Sequence, residues 1–296
     1  MYKSILVLCM LIVAPSGLLS QKSDSIFSIA VHSGYISVEG EKLFYEIAGK
    51  GNNIVLLHDG LIHREVWDGQ FLELAKNFRV MRYDRRGYGK SSNPKVPFSN
   101  IDDLDQLFIQ LKIDKAIVFG MSAGGGMAID FALKHPDKVT ALVLVGAVVS
   151  GYGYSSHMLT RGGRISLEEL IADSSKFIRY FGWEDPYTLY SVNIEAKKKC
   201  LRLLEANPMN VSLDKFRFEK PRERPALKFL SEIKVPTLVL VGEYDIPDVH
   251  AHSGVIEVGI PNAKREVIRN AGHLIPLEQP EAFNSLVWTF LNEHGL

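Results

Sequence analysis

Residues 115–127, KAIVFGMSAGGGM, place a serine between two stretches of opposite character. The run 115–119 is short, apolar and β-branched, as a buried strand is, and from Ala123 onward MAIDFALKH reads as a helix that Pro136 ends. Gly120-Met121-Ser122-Ala123-Gly124 joins the two as a G-x-S-x-G pentapeptide. A strand that turns at once into a helix strains its central residue, and a glycine on either side lets the two elements pass closely. The Ser122 hydroxyl then projects from the corner, beside the free N–H groups of the helix start, where a nucleophile is useful. Alone, the pentapeptide also fits a glycine-rich turn with a helix-capping serine. Partners for the serine must decide.

A serine hydroxyl is not nucleophilic at neutral pH without a base, usually a histidine oriented by a carboxylate. Among nine histidines, His273 stands out because it follows the last strand-like run, in Asn270-Ala271-Gly272-His273, and precedes the last helix. Asp245 stands out likewise, after VLVGEY at the end of the preceding strand, with Pro247 stopping any continuation. Asp248 is a competing acid, further from the strand end. His58 reads as a residue that braces its loop. His250 and His252 form H-x-H without a third ligand at metal spacing, so no metal is expected. Asp84, Arg85 and Arg86 read as ties for the turn after their strand, with a substrate-binding arginine as the alternative. Tyr152, Tyr154, Phe181, Trp183 and Tyr187 either line a pocket or pack among themselves.

The elements that must position these residues alternate. Runs 35–38 and 42–47 form a hairpin around Glu39-Gly40-Glu41. Run 53–57 is a buried strand ending in His58-Asp59-Gly60, and a helix is predicted over 65–75. A strand over 79–83 leads into the turn-rich DRRGYGKSS. A helical stripe runs from Ile101 to Leu111, then comes the serine strand with its helix, then the apolar strand 139–145. Strands alternating with helices predict a mostly parallel sheet, helices on both faces, with functional residues at the strands' carboxyl ends. From about Gly146 the alternation stops for some 80 residues whose apolar positions keep helical spacing. It resumes with strands over 235–242 and 263–268 and a closing helix over 281–292.

Composition bounds the rest. Thirty-four basic and 34 acidic side chains in 296 residues give no net charge, which argues against a nucleic-acid or polyanion binder. Lys3, the apolar run 5–14 and the breakers Pro15, Ser16 and Gly17 predict a signal peptide over 1–20, cut after Ser16 or Ser20. The run is too short for a bilayer span of about 20 residues. A secreted or periplasmic chain with no stable membrane span is therefore expected. Cys9 leaves with the leader, and Cys200, alone in the helical KKKCLRLLEA, reads as a buried small hydrophobe. The Lys197–Lys199 run reads as a solvated helix face.

Taken together, NNIVLLHDG, YDRRGYGKS, VFGMSAGGGMA, VLVGEYDIPD and NAGHLIPLEQP resemble the α/β-hydrolase superfamily, in its order and over nearly the whole mature chain. The resemblance implies Ser122 as nucleophile, Asp245 as triad acid and His273 as general base. It implies an oxyanion hole from the Ala123 N–H and the Gly60 N–H, with the neighbouring Leu61 N–H as the alternative. It also divides the chain into a core over 21–145 and 235–296, interrupted by a helical cap over 146–234. Where the family usually has His-Gly, this chain has His58-Asp59, and a carboxylate aimed at the oxyanion hole would oppose developing negative charge, so Asp59 is expected to point away. The expected activity is that of a cofactor-free serine hydrolase acting on an ester, lactone or related small carbonyl substrate. Rivals are a ligand-binding receptor on the same fold and an aminopeptidase-like amide hydrolase.

Overall fold

Eight strands make one sheet: β1 (Val31–Val38), β2 (Glu41–Ala48), β3 (Asn53–Leu57), β4 (Arg79–Tyr83), β5 (Ala116–Met121), β6 (Val139–Val145), β7 (Thr237–Gly242) and β8 (Ala263–Ile268). Their spatial order is β1-β2-β4-β3-β5-β6-β7-β8. The computed structural model describes residues 29–296 apart from 162, 191, 213 and 223, so the predicted leader lies outside the described residues. The β1–β2 hairpin is antiparallel, and its turn residues Glu39 and Gly40 both have positive φ, 51° and 82°, as a tight two-residue turn requires. β2 also runs antiparallel to β4, and every later pairing is parallel. β7 starts two residues later than the apolar run suggests, because Pro236 has no N–H for the ladder.

β5 is buried along its whole length, and its side chains alternate between two cores. Ile117, Phe119 and Met121 join Ile54 and Leu56 on one face, while Val118 joins Val55, Leu57, Leu142 and Leu144 on the other. The first face is covered by α1 (Asp68–Leu74) and α10 (Pro280–Glu293) through Phe71, Leu74, Phe283 and Val287. The second is covered by α2 (Asn100–Gln110) and α3 (Ala123–Lys134), with Ile256 added from α8, Pro247–Gly259. The helix predicted over 65–75 begins instead as a 3-10 turn, Arg64–Trp67. Asp84 accepts both the Arg64 N–H (3.0 Å) and its guanidinium (2.9 Å), which fixes where the chain enters that turn.

Between β6 and β7 lie α4 (Ser156–Thr160), α5 (Leu167–Ala172), α6 (Ser174–Arg179), a π-helical turn (Tyr180–Glu184), α7 (Ile194–Ala206) and several 3-10 turns. Their starts are capped by side chains: Ser155, Ser166, Asp173 and Asn193 each accept a first-turn N–H. α7 turns Ala196, Cys200 and Leu204 inward at i, i+4 and i+8, so Cys200 is core, its thiol pushed well up by burial. The lysine run on α7 is more tied down than a solvated face. Lys197 donates to the Trp183 carbonyl at 3.0 Å, and Lys199 pairs with Asp68 at 3.0 Å.

This insertion is fastened to the loops at the sheet's carboxyl edge. Asp248 accepts from the Ser155 N–H and hydroxyl, both at 2.6 Å. Asn210 bonds His63 Nδ1 (3.0 Å) and accepts the Gly89 N–H (3.1 Å). Arg222 pairs with Asp130 of α3 at 2.8 Å. No helix among the described residues is long and apolar enough to cross a membrane.

Candidate active site

The corner between β5 and α3 is built by glycines that tolerate no side chain. A Cβ on Gly120 would lie 2.3 Å from the Gly124 carbonyl oxygen, one on Gly124 2.4 Å from the His58 oxygen, and one on Gly125 2.4 Å from the Ala147 Cβ. Ser122 sits at the apex with φ 53° and ψ −116°, a strained conformation for a residue with a side chain. Its N–H donates to Val145 O at 2.8 Å and its carbonyl accepts the Gly126 N–H at 3.0 Å, so both strand end and helix start hold it.

The residue after Val145 brings in the next groups. Gly146 has φ 51°, and a Cβ there would lie 3.0 Å from His273 Cε1 and 3.3 Å from Asp245 Oδ2. The imidazole and the carboxylate therefore lie against the strand end that holds Ser122. His273 Nδ1 donates to Asp245 Oδ2 at 2.7 Å, which leaves Nε2 with the lone pair. Asp245 Oδ1 accepts the Ile246 N–H at 2.8 Å, so the carboxylate is fixed at both oxygens. The Asp245 side chain is fully buried and the His273 side chain 21% exposed. Burial disfavours the imidazolium, but the charge and hydrogen bond of Asp245 more than offset this, and the His273 pKa lies above its ordinary value. Asp248 is engaged elsewhere, with Ser155.

Two backbone N–H groups beside the corner are unpaired among the described residues. Neither the Gly60 nor the Ala123 N–H has a hydrogen-bond partner among the described residues, and a Cβ on Gly60 would lie 3.7 Å from the Ala123 Cβ. Leu61 is not equivalent to Gly60. Its N–H donates to Asp59 Oδ1 at 2.5 Å, and the Ile62 N–H donates to the same oxygen at 2.9 Å. Asp59 thus turns onto its own loop, with Oδ2 buried and unpartnered. Burial raises its pKa against the pull of those two N–H groups. Around the loop, the Tyr88 hydroxyl donates to Gly60 O (3.0 Å) and Arg85 to Asp59 O (2.5 Å). His58 braces it too, through Nδ1 to Asp59 O (2.7 Å), while its Nε2 accepts the Arg85 N–H (3.0 Å). Burial, then the Arg85 charge, pushes the His58 pKa well below its ordinary value.

The remaining candidates are structural. Arg86 grips Asp103 with two bonds (2.7 and 2.8 Å) and Glu41 at 3.0 Å, tying the turn after β4. His252 accepts the Val149 N–H at 3.1 Å and packs against Tyr152 and Tyr154. No group of three or more metal-ligating side chains occurs among the described residues. Phe181 packs with Phe177 and Tyr180, while Trp183, beside Lys197, is partly exposed and lines a cavity of the insertion with Ile178 and Leu201. Two further residues shape this corner, Gly146 and Tyr88. Gly146 carried a signal, a glycine directly after an apolar strand; Tyr88 acts on the backbone of Gly60, 28 residues away, and carried none.

A family model described as the alpha/beta hydrolase fold matches residues 52–280. The AB hydrolase superfamily protein YisY of Bacillus subtilis is 29% identical over 269 residues, covering 87% of this chain and 98% of YisY. Carboxylesterase YbfK of the same organism is 25% identical over 292 residues, 91% of each chain. A solved thermophilic esterase from Thermogutta terrifontis superposes with a TM-score of 0.70 at 26% identity, covering 88% of this chain and 98% of its own. The chain belongs to the alpha/beta hydrolase fold family, as an enzyme.

Proposed function

We propose that this enzyme is a serine hydrolase that cleaves a carboxylic ester, lactone or related small carbonyl substrate through an acyl-enzyme. His273 Nε2 takes the proton of the Ser122 hydroxyl as Oγ attacks the substrate carbonyl carbon. The oxygen of the tetrahedral intermediate, now negative, is held by the Gly60 and Ala123 N–H groups. The imidazolium, stabilised by Asp245, gives its proton to the departing alkoxide as the C–O bond breaks. Water then repeats the sequence: His273 takes its proton, hydroxide adds to the acyl carbon, and Ser122 leaves reprotonated with release of the acid. The insertion over 146–234 serves as the cap that limits water and shapes the pocket.

The observation that supports this reading most is the His273–Asp245 pair lying against Gly146, one residue beyond the carbonyl that holds the Ser122 N–H. Similarity to a carboxylesterase supports an ester as substrate. The basic, then apolar, then helix-breaking start of the chain supports export, which fractionation of expressing cells tests. A fluorophosphonate probe tests the chemistry. Wild type should be labelled and should hydrolyse short p-nitrophenyl esters, whereas Ser122→Ala should lose labelling and at least about a thousandfold in kcat/KM. Folded wild type that takes no label would overturn the proposal.

A further inference from the structure

The loop carrying His273 is held from the insertion side by one short strap, 185–190, with Asn193 beyond it. The His273 N–H is shared between Tyr187 O (2.9 Å) and Thr188 O (3.1 Å), and the Leu274 N–H donates to Thr188 O (3.1 Å). The Tyr190 ring stacks on Tyr244, next to Asp245, at 3.9 Å between centroids and 8° between planes. One segment of the cap therefore touches the loops of both the acid and the base. Asp185 stiffens that segment by accepting from the Tyr187 N–H (3.1 Å), the Thr188 hydroxyl (2.7 Å) and Arg161 (3.2 Å).

Glu278, buried at the end of α9 (Ile275–Glu278), joins the strap to the base loop. One carboxyl oxygen accepts the Gly272 N–H at 2.9 Å and the other accepts the Tyr190 N–H at 2.5 Å. Its backbone carbonyl accepts the Asn193 amide at 2.7 Å. Space at the junction is tight: a Cβ on Gly272 would lie 2.9 Å from Tyr187 O and 3.0 Å from Tyr190 N. As a plain stabiliser this carboxyl is a poor choice. No Lys or Arg pairs with it among the described residues, and burial pushes its pKa up to about 8.

We propose that Glu278 is a positioning residue for His273, clasping the cap strap to the residue before the base and so setting the imidazole against Asp245. The proposal rests on the reading of His273 as general base. A small rotation of that ring would lengthen both its bond to Asp245 and its reach to Ser122, and misplacement of about 1 Å can cost about a hundredfold in rate. Glu278 touches no reacting atom.

The test compares wild type, Glu278→Gln and Glu278→Ala with His273→Ala as reference, using p-nitrophenyl acetate and the fluorophosphonate probe. Glu278→Ala should lose about ten- to a hundredfold in kcat with KM within about threefold. Glu278→Gln, which keeps one acceptor, should fall between. The downfield imidazole N–H proton resonance, which reports the His273–Asp245 bond, should broaden or move upfield in Glu278→Ala. Folded Glu278→Ala with wild-type kcat and an unmoved resonance would overturn the proposal. Should that variant fail to fold, hydrogen exchange on wild type still decides: the Gly272 and Tyr190 amides should be protected to a similar degree, and unprotected exchange at either overturns it. Loss of the serine-hydrolase reading itself would look different, as an unlabelled wild type or a fully active His273→Ala.

Discussion

Asp59 shows how a single side chain can choose between neighbouring backbone groups. By accepting the Leu61 and Ile62 N–H groups it engages both, while the neighbouring Gly60 N–H stays unpaired among the described residues. Gly60 can be tested directly, because a Cβ fits there with nothing nearer than 3.7 Å. Gly60→Ala should keep nearly full activity, while Gly60→Pro, which deletes the N–H, should lower kcat about a hundredfold, measured on p-nitrophenyl acetate. Equal losses in the two variants would assign the donor elsewhere. His273 gives a second residue-scale prediction. Its base form is neutral and Asp245 raises its pKa, so kcat/KM should fall as pH drops through a value above the ordinary 6.5. Asp245→Asn should move that acid limb to lower pH and cut the rate, whereas Asp248→Asn should leave the limb in place.

Among elements, the β5–α3 corner depends on closeness that only glycine permits. Alanine in place of a helical glycine ordinarily stabilises by up to about 1 kcal/mol. At Gly125 a Cβ would meet the Ala147 Cβ at 2.4 Å, so Gly125→Ala should instead destabilise by about 1–3 kcal/mol, through overpacking. Gly254 in α8 is the control, since a Cβ there meets nothing within 4 Å; Gly254→Ala should be neutral or stabilising. Urea unfolding of both variants checks this, and a stabilised Gly125→Ala would refute the packing argument. The elements themselves were legible because parallel strands buried on both faces must be apolar throughout. That pattern marks 53–57 and 139–145 to the residue, whereas 79–83, with Arg79 and Arg82, and the edge strand 263–268, with Lys264, Arg265 and Glu266, were legible from their place in the strand–helix alternation. The boundary at β7 shifted because Pro236 is apolar in pattern yet cannot donate to a ladder.

At the scale of the molecule, the insertion and the sheet's loops are joined by buried titratable groups whose pKa shifts oppose one another. Glu278, facing Asp245 and His273, loses its proton near pH 8 when folded and near 4.5 when unfolded. Its contribution to stability should therefore fall as pH rises from about 4.5 to about 8. Lys215 reaches from the insertion to the Tyr88 ring, with Nζ 3.6 Å from the centroid, beside Arg85. Burial first, then the Arg85 charge, pushes its pKa down to about 7 from 10.5, so its contribution should rise with pH from about 7 to about 10.5. Denaturant unfolding of wild type and Glu278→Gln between pH 5 and 8 tests the first: the Gln variant should lose less stability over that window. Parallel curves would show that Glu278 titrates alike in both states.

What the sequence determined alone was what local rules write into a chain. Strand burial, the glycine-flanked serine, and the chain order of Ser122, Asp245 and His273 at strand ends all follow from periodicity and turn chemistry over a few residues. Tertiary structure decided what depends on contact between distant segments. The engagement of the Leu61 N–H by Asp59, the engagement of Asp248 by Ser155, the seat of the imidazole against Gly146 and the bonds of Glu278 to Tyr190 and Gly272 are of this kind. Each is set by a hydrogen bond or a close approach whose partner lies on another loop or, for Asp59, by a side-chain rotation that spacing does not encode. A one-dimensional pattern can mark which residues reach the sheet's carboxyl edge, but their orientation there is fixed only when the loops pack.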